Sequence, residues 1–372
     1  MKEKKVGRLI IIIAFVVIIC LSKFIWFFAE KYLDTTNYEK REMAERPVLT
    51  PDTYAGFPTE YTAYANDNMA FRTYLVTLNS ALDYFCFGRS SNNDVIIGND
   101  HWLFYNSYGD GDPIGSYKGN DIYTEEELKE IADYCVQQAE VVESMGKEFV
   151  IFMAPNKERI YQEYVPKDRY GEISENYGLL QIYNYLTENT DLRVVYPYAE
   201  LMEAKDKLDC NLYYKTDTHW NYIGGYVGAC ALLKELGIDD MPAVYSDEIT
   251  IKDEGEYGGD LAGLIGLENQ LKHYDREYSL SGYNRHDVEN TQWEYSGMAE
   301  YHAKNADPRT LYVIRDSYSS AMAEYLGSQF NNTYLRHKDT YSYDDLVAHD
   351  PDIVVYQVVE RYKVQLLRFS IQ

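Results

Sequence analysis

The chain has 372 residues, 46% of them hydrophobic, so it can bury a sizeable core as one large domain or two ordinary ones. Its formal net charge is −25, although residues 1–30 carry five basic and only two acidic side chains. The body after residue 30 is therefore strongly acidic and would repel phosphates, which argues against nucleic acid as a partner. Residues 2–8 are basic, Leu9 to Ser22 is almost wholly apolar, Lys23 interrupts, and Phe24 to Ala29 resumes the apolar run. About 21 residues suffice to span a bilayer as a helix. The basic flank leaves the N-terminus in the cytoplasm and the body outside. A cleaved signal peptide is the alternative, but no A-x-A-like site follows, and Ile18 and Ile19 precede Cys20 where a lipoprotein site needs small residues. Residues 1–30 thus read as a cytoplasmic tip and an uncleaved signal anchor, giving a single-pass protein of the cell membrane.

Residues 31–60, with Pro47, Pro51 and Pro58, read as a linker. Residues 61–372 read as one domain with an irregular, acidic, Tyr-rich insertion over about 240–300. Helical spacing runs from Glu60 to Phe87, and Asp94 to Tyr105 alternates like strands around a turn at Gly98. Asn106 to Asp121 reads as a solvated loop. Its Asp110-Gly111-Asp112 lacks the spaced ligands and closing Glu of a calcium loop. Thr124 and Glu127 form a capping box that opens a helix ending at Gly146. Phe149 to Met153 is a continuous apolar run, as in a strand buried on both faces. Then come a helix (179–186), a strand (192–196), two helices (199–207 and 220–236), a strand (310–314), a helix (317–326), a strand (333–336), a helix (343–349) and a strand (353–357). Such alternation predicts an α/β fold with a mostly parallel sheet covered on both faces. Ligands of such sheets bind beyond the carboxyl ends of the strands.

Two stretches at strand ends carry nucleophile chemistry. Tyr213 to Asn221 contains Asp217 and His219, and Leu311 to Ser319 runs an apolar strand into Ser317. A base that takes the serine proton, and a carboxylate that fixes the imidazole tautomer, would activate Ser317. The Ser317 N–H and the following helix N-terminus would stabilise an oxyanion. Asp316 and Ser317 also suit helix caps, and Asp217-Thr218-His219 also suits a turn. Asn156, Lys157 and Arg336 fall at predicted strand ends and are candidate substrate or oxyanion contacts. A salt bridge is the other reading for Lys157. The 39 tyrosines fit either a glycan-facing surface or amphipathic filler. The five cysteines form no C-x-x-C, and no metal site is expected.

Phe149 to Pro166, Thr216-Asp217-Thr218-His219-Trp220-Asn221 and Val313 to Tyr318 resemble the DHHW family, itself similar to the alginate O-acetyltransferase proteins with their SGNH-hydrolase-like domain. Tyr64 to Arg72, Gly98 to Phe104, Gly259-Asp260-Leu261 and Val359-Glu360-Arg361-Tyr362 resemble it too. The resemblance implies a three-layer SGNH-hydrolase-like domain and a Ser317–His219–Asp217 triad. Two departures stand out: Thr218 occupies a position where the family's name has His, and Arg315 stands where the alginate enzymes usually have a small residue. Arg315 could narrow or recharge the oxyanion hole.

The resulting expectation is an extracytoplasmic O-acetyltransferase that modifies a polysaccharide through an acetyl-serine, with no cofactor. By resemblance, a multi-pass membrane acyltransferase would pass it the acetyl group. A carbohydrate acetylesterase with the same triad, or a non-catalytic glycan-binding or assembly protein, are the alternatives.

Overall fold

The computed structural model describes residues 2–33, 42–293 and 297–372. Positions 34–41 of the expected linker and 294–296 of the expected insertion lie outside the described residues. The chain divides into two compact units, residues 1–92 with 263–268, and residues 93–262 with 269–372. Residues 61–92 of the expected domain fall in the first of these units.

In the first unit, a helix spans Lys2–Ala29. From inside this helix through the following 3₁₀ turn, Ile11–Tyr32 marks a stretch of 22 residues with mean hydropathy 2.7, long and apolar enough to cross a membrane. The helical pattern predicted over 60–87 is two helices, Phe57–Asp67 and Arg72–Phe87. Phe71, at φ 59°, breaks them apart, since a left-handed residue cannot continue a helix.

Among the described residues, the second unit holds eleven strands. They are β1 (Val95–Ile97), β2 (Leu103–Tyr105), β3 (Glu148–Ala154), β4 (Arg193–Val195), β5 (Thr250–Glu256), β6 (Arg276–Ser281), β7 (Asp287–Trp293), β8 (Met298–Lys304), β9 (Asp307–Arg315), β10 (Phe330–His337) and β11 (Ile353–Val359). Seven form one sheet in the order β4-β3-β11-β9-β10-β8-β7. The first five are mutually parallel, and β8 and β7 add antiparallel at one edge. The expected irregular insertion thus supplies β7 and the start of β8 to the sheet, and both strands of a separate antiparallel β5–β6 pair.

Alternation along the central strands feeds two cores. Val150 and Phe152 of β3, Val313 of β9 and Val355 of β11 pack on one face with Trp220, Tyr226 and Tyr318. Phe149, Ile151, Tyr312 and Val354 pack on the other face against the helices Glu125–Ser144 and Gly178–Asn189. The capping box forms as predicted, with the Thr124 side chain accepting from the Glu127 N–H. The loop read as solvated instead contains a buried helical turn, Pro113–Tyr117, capped by Asp112. Asp110 accepts from the Tyr105 and Tyr362 hydroxyls, both at 3.1 Å. Cys86, Cys135, Cys210 and Cys230 are free thiols.

Candidate active site

Beyond the carboxyl ends of β3, β9 and β11 the chain brings Ser317, His219 and Asp217 together. His219 Nε2 lies 2.7 Å from Ser317 Oγ, and His219 Nδ1 lies 2.7 Å from Asp217 Oδ1. Asp217 also accepts the His219 backbone N–H at 2.9 Å, so a tight local turn orients carboxylate and ring together. Trp220 Nε1 donates to the Tyr318 carbonyl at 2.8 Å, and the Tyr318 hydroxyl donates to the Thr218 carbonyl at 2.6 Å. These two bonds tie the His219 turn to the Ser317 turn across 98 and 100 residues of chain.

Ser317 opens a short 3₁₀ turn, Ser317–Ala321, followed by a brief helix, Ala323–Gly327, where one longer helix was expected. Asp316 explains the tight turn. Its carboxylate accepts from the Tyr318 N–H (2.9 Å), Gln357 Nε2 (2.8 Å) and the Val359 N–H (2.7 Å). It is a cap that locks the nucleophile turn to β11. The Tyr318 N–H is spent on that cap, so the helix start supplies fewer free donors than the sequence implied.

Asp217 is held from several sides. Its Oδ2 accepts the Asp260 N–H at 2.8 Å and the Tyr257 hydroxyl at 3.2 Å. Asp275 accepts the Lys215 and Thr216 N–H groups at 2.5 and 2.6 Å. Gly259 packs so closely that a Cβ there would run into the Thr216 carbonyl and the Asp217 amide. Burial disfavours charge on Asp217, but His219 and these N–H donors outweigh it and hold the carboxyl well below the usual range. Burial likewise works against a charged His219. The carboxylates of Asp217 and Asp260 outweigh it and raise the imidazole above its ordinary value. Burial, and then the Asp217 charge, push Asp260 up. Donor atoms of Asp217, His219 and Asp260 lie within 4.8 Å of one another. All four carboxylate oxygens already accept N–H or O–H donors, so the trio is a hydrogen-bonded orienting network.

The remaining candidates divide. Asn156 lies two residues beyond β3, just before the short helix Lys157–Ile160; it donates its N–H to Glu360 (3.0 Å) and accepts the Arg361 N–H on Oδ1 (3.2 Å). Its Nδ2 is buried without a hydrogen-bond partner among the described residues. Lys157 makes no salt bridge among the described residues. Nζ donates to the carbonyls of Tyr214 (3.2 Å), Lys215 (3.2 Å) and Asp217 (2.5 Å), clamping the turn that carries Asp217. Arg315 is buried. It donates from Nη1 to the Asp316 carbonyl (3.1 Å) and Ser320 Oγ (3.2 Å), bracing the Ser317 turn.

Arg336 is a correction. It packs with Tyr312 and Tyr334 on the sheet face opposite Tyr318 and Trp220, and pairs with Glu300 (2.6 Å) and Asp345 (2.9 Å). Its role is to join β8, β10 and the helix Tyr343–His349. Arg336→Leu should cost about 3 kcal/mol by stranding two carboxylates. Thermal unfolding checks this, and the rate of Ser317 acylation per folded molecule should stay unchanged.

Sequence reasoning missed Asp260 and Tyr257 as neighbours of the site. Gly259-Asp260-Leu261 was noted only as a block of family likeness, and no local spacing ties it to Asp217.

A layered α/β unit with a mostly parallel sheet, carrying a Ser–His–Asp chain at the strand ends, is an SGNH-hydrolase-like domain. The profile of the family described as "SGNH hydrolase-like domain, acetyltransferase AlgX" matches residues 95–331, well over half the chain, and the chain belongs to that family. This is the relationship that the short blocks of sequence implied. The chain is 24% identical over 179 residues to the "Probable alginate O-acetylase AlgJ" of Pseudomonas putida, a match covering 47% of this chain and 42% of that protein. It thus spans less than half the length of that curated relative. The structure of Bacillus cereus PatB1 shares the fold, with a TM-score of 0.52 and 14% identity over 75% of this chain and all of that one. A DHHW family protein from Eubacterium siraeum gives a TM-score of 0.48 at 16% identity, covering 65% of this chain and 89% of that one.

Proposed function

We propose that this chain is a membrane-anchored, extracytoplasmic O-acetyltransferase that acetylates a polysaccharide through an acetyl-Ser317 intermediate. The observation that carries the reading is the continuous Ser317–His219–Asp217 hydrogen-bond chain, at 2.7 Å for each link. Ser317 Oγ attacks the donor's acetyl carbonyl while His219 Nε2 takes its proton. The tetrahedral oxyanion collapses, the donor's acyl bond breaks, and His219 returns the proton to the leaving group. A sugar hydroxyl then gives its proton to His219, attacks the acetyl-serine and leaves as the sugar ester, and the proton returns to Ser317. Asp217 keeps the Nδ1–H tautomer throughout. The unpartnered Asn156 Nδ2 is the side-chain donor suited to the oxyanion. The apolar Ile11–Tyr32 stretch supports a single anchor, and the donor side is assigned to a multi-pass membrane acyltransferase. The chain's own residues carry the chemistry in this scheme, without a cofactor.

The test treats the full chain in detergent with an activated acetyl ester, then with a panel of oligosaccharides, and follows Ser317 and the sugars by mass spectrometry. Acetyl-Ser317 followed by acetylated sugar is the expected result. Acetate release with no acetylated sugar favours an esterase, and the absence of any adduct with every donor overturns the reading.

A further inference from the structure

His219 Nδ1 has two acceptors in reach. Asp217 Oδ1 is the first, at 2.7 Å, and Thr218 Oγ1 is the second, at 3.1 Å. The Thr218 hydroxyl has a single proton, and Asp260 Oδ2, at 2.7 Å, takes it because an ionised carboxylate can only accept. The Thr218 oxygen therefore turns a lone pair toward Nδ1–H. Asp260 Oδ1 accepts the Thr218 N–H at 2.8 Å, and the Asp260 N–H donates to Asp217 Oδ2 at 2.8 Å. One residue thus fixes both acceptors of the imidazole, with its own Oδ2 only 3.8 Å from Nδ1.

The geometry points to Asp260 as a second orienting carboxylate, acting through Thr218 to hold the Nδ1–H tautomer of His219 and to stabilise the imidazolium formed when Ser317 is deprotonated. Asp260 is a positioning residue, and the inference rests on the acyl-transfer reading above. It also gives Thr218, which departs from the family's name, a task of its own. The charged and titratable groups facing His219 are few. Asp217 and Asp260 favour its protonated form, Arg361 opposes it, and the Tyr318 ring lies 5.1 Å away. The Tyr257 hydroxyl reaches only Asp217.

The chemistry of an amide at position 260 makes the idea testable. In Asp260→Asn the carbonyl oxygen must stay on the Thr218 N–H, which turns the amide N–H₂ toward Thr218 Oγ1. The threonine proton is then displaced toward His219 Nδ1. That favours the Nε2–H tautomer, which cannot accept the Ser317 proton.

The experiment uses the full chain with ¹⁵N-labelled histidine, and reads the tautomer and titration of His219 by NMR alongside single-turnover acetylation of Ser317 against pH. Asp260→Asn should lower the His219 pKa by about one unit, since an opposite charge within 4–6 Å has been removed. It should also move the acid limb of acetylation to lower pH and reduce the plateau at least about tenfold through the tautomer change. Thr218→Val should lose the tautomer preference with a smaller change in pKa, because the Asp260 charge remains, and Thr218→Ser should match the wild type. An unchanged tautomer and an unchanged acid limb in folded Asp260→Asn would overturn the inference. If that variant does not fold, Thr218→Val behaving like Thr218→Ser overturns it instead. A wild-type chain that never acetylates Ser317 defeats the acyl-transfer reading, while the NMR titration still decides the role of Asp260.

Discussion

His219→Ala should slow acetylation of Ser317 by an activated ester about 10²–10⁴-fold, the usual worth of general-base help. Ser317→Ala should abolish the adduct. The base lies 2.7 Å from the nucleophile with no rearrangement needed, so the loss falls on the chemical step and not on donor binding. The wild-type rate should also depend on pH with a defined sign. The carboxylates of Asp217 and Asp260 raise His219 above its ordinary value of 6.5, so the neutral base appears only as pH climbs through that raised value. Acetylation should therefore be slow on the acid side and rise with pH. Stability moves the other way. The folded-state gain from protonated His219 is complete below 6.5 and is lost as pH rises through the folded value. For Asp217, whose carboxyl is depressed, the gain is present above 3.8 and is lost as pH falls through the folded value. Stopped-flow acylation and thermal melts across pH separate the two trends. A rate that does not change with pH would remove His219 from the step.

Lys157→Met should be nearly as damaging, although Lys157 touches no reacting atom. Its Nζ holds the carbonyls of Tyr214, Lys215 and Asp217 from within the fold, and the side chain is 1% exposed. Methionine fills a similar volume and donates nothing. The Lys215 carbonyl keeps the Leu103 N–H at 2.8 Å, but the Tyr214 and Asp217 carbonyls lose this donor at about 1–3 kcal/mol each, so a few kcal/mol of stability should go. The turn that carries Asp217 would also relax, and a displacement of about 1 Å at such a site is worth roughly 10²-fold in rate. Burial pulls the Lys157 ammonium down to about 8, so the wild type should show an alkaline limb near that pH as the third N–H is lost. Denaturant melts and acylation rates measured on the folded fraction check both parts. A stable Lys157→Met variant that acylates at the wild-type rate would show that Asp275 and Gly259 hold the turn without it.

The legible parts of the fold were those with local causes. Phe149 to Met153 reads as a strand because every residue is apolar, and β3 is indeed buried on both faces. The capping box at Thr124 is a reciprocal bond between residues three apart. The segment 240–300 hid β5 and β6 because their side chains are largely polar and exposed or half-exposed, so neither alternation nor an apolar run marks them; β8 does alternate, burying Ala299, Tyr301 and Ala303, but two of those three are small alanines that make a weak apolar signal. What makes them strands is the partner across the sheet, and for β8 that partner is β10, some 30 residues on.

The site divides in the same way. Asp217 and His219 are two residues apart, and one carboxylate oxygen meets both the backbone and the ring of His219. That pairing is a property of a short turn, and the sequence by itself determined it. Ser317 at a strand-to-helix transition was also readable, because an apolar run ends there. The tertiary structure decided the rest. It placed Ser317 against His219 through the packing of Trp220 on Tyr318, brought in Asp260 and Tyr257 from a distant loop, and sent Arg336 to the opposite face of the sheet. It turned Lys157 from a candidate substrate contact into a clamp. The physical reason is that a charged residue at a strand end has no role until other strands bring it partners. Whether those partners are carbonyls, carboxylates or open space depends on contacts tens to hundreds of residues away, and no local pattern encodes them.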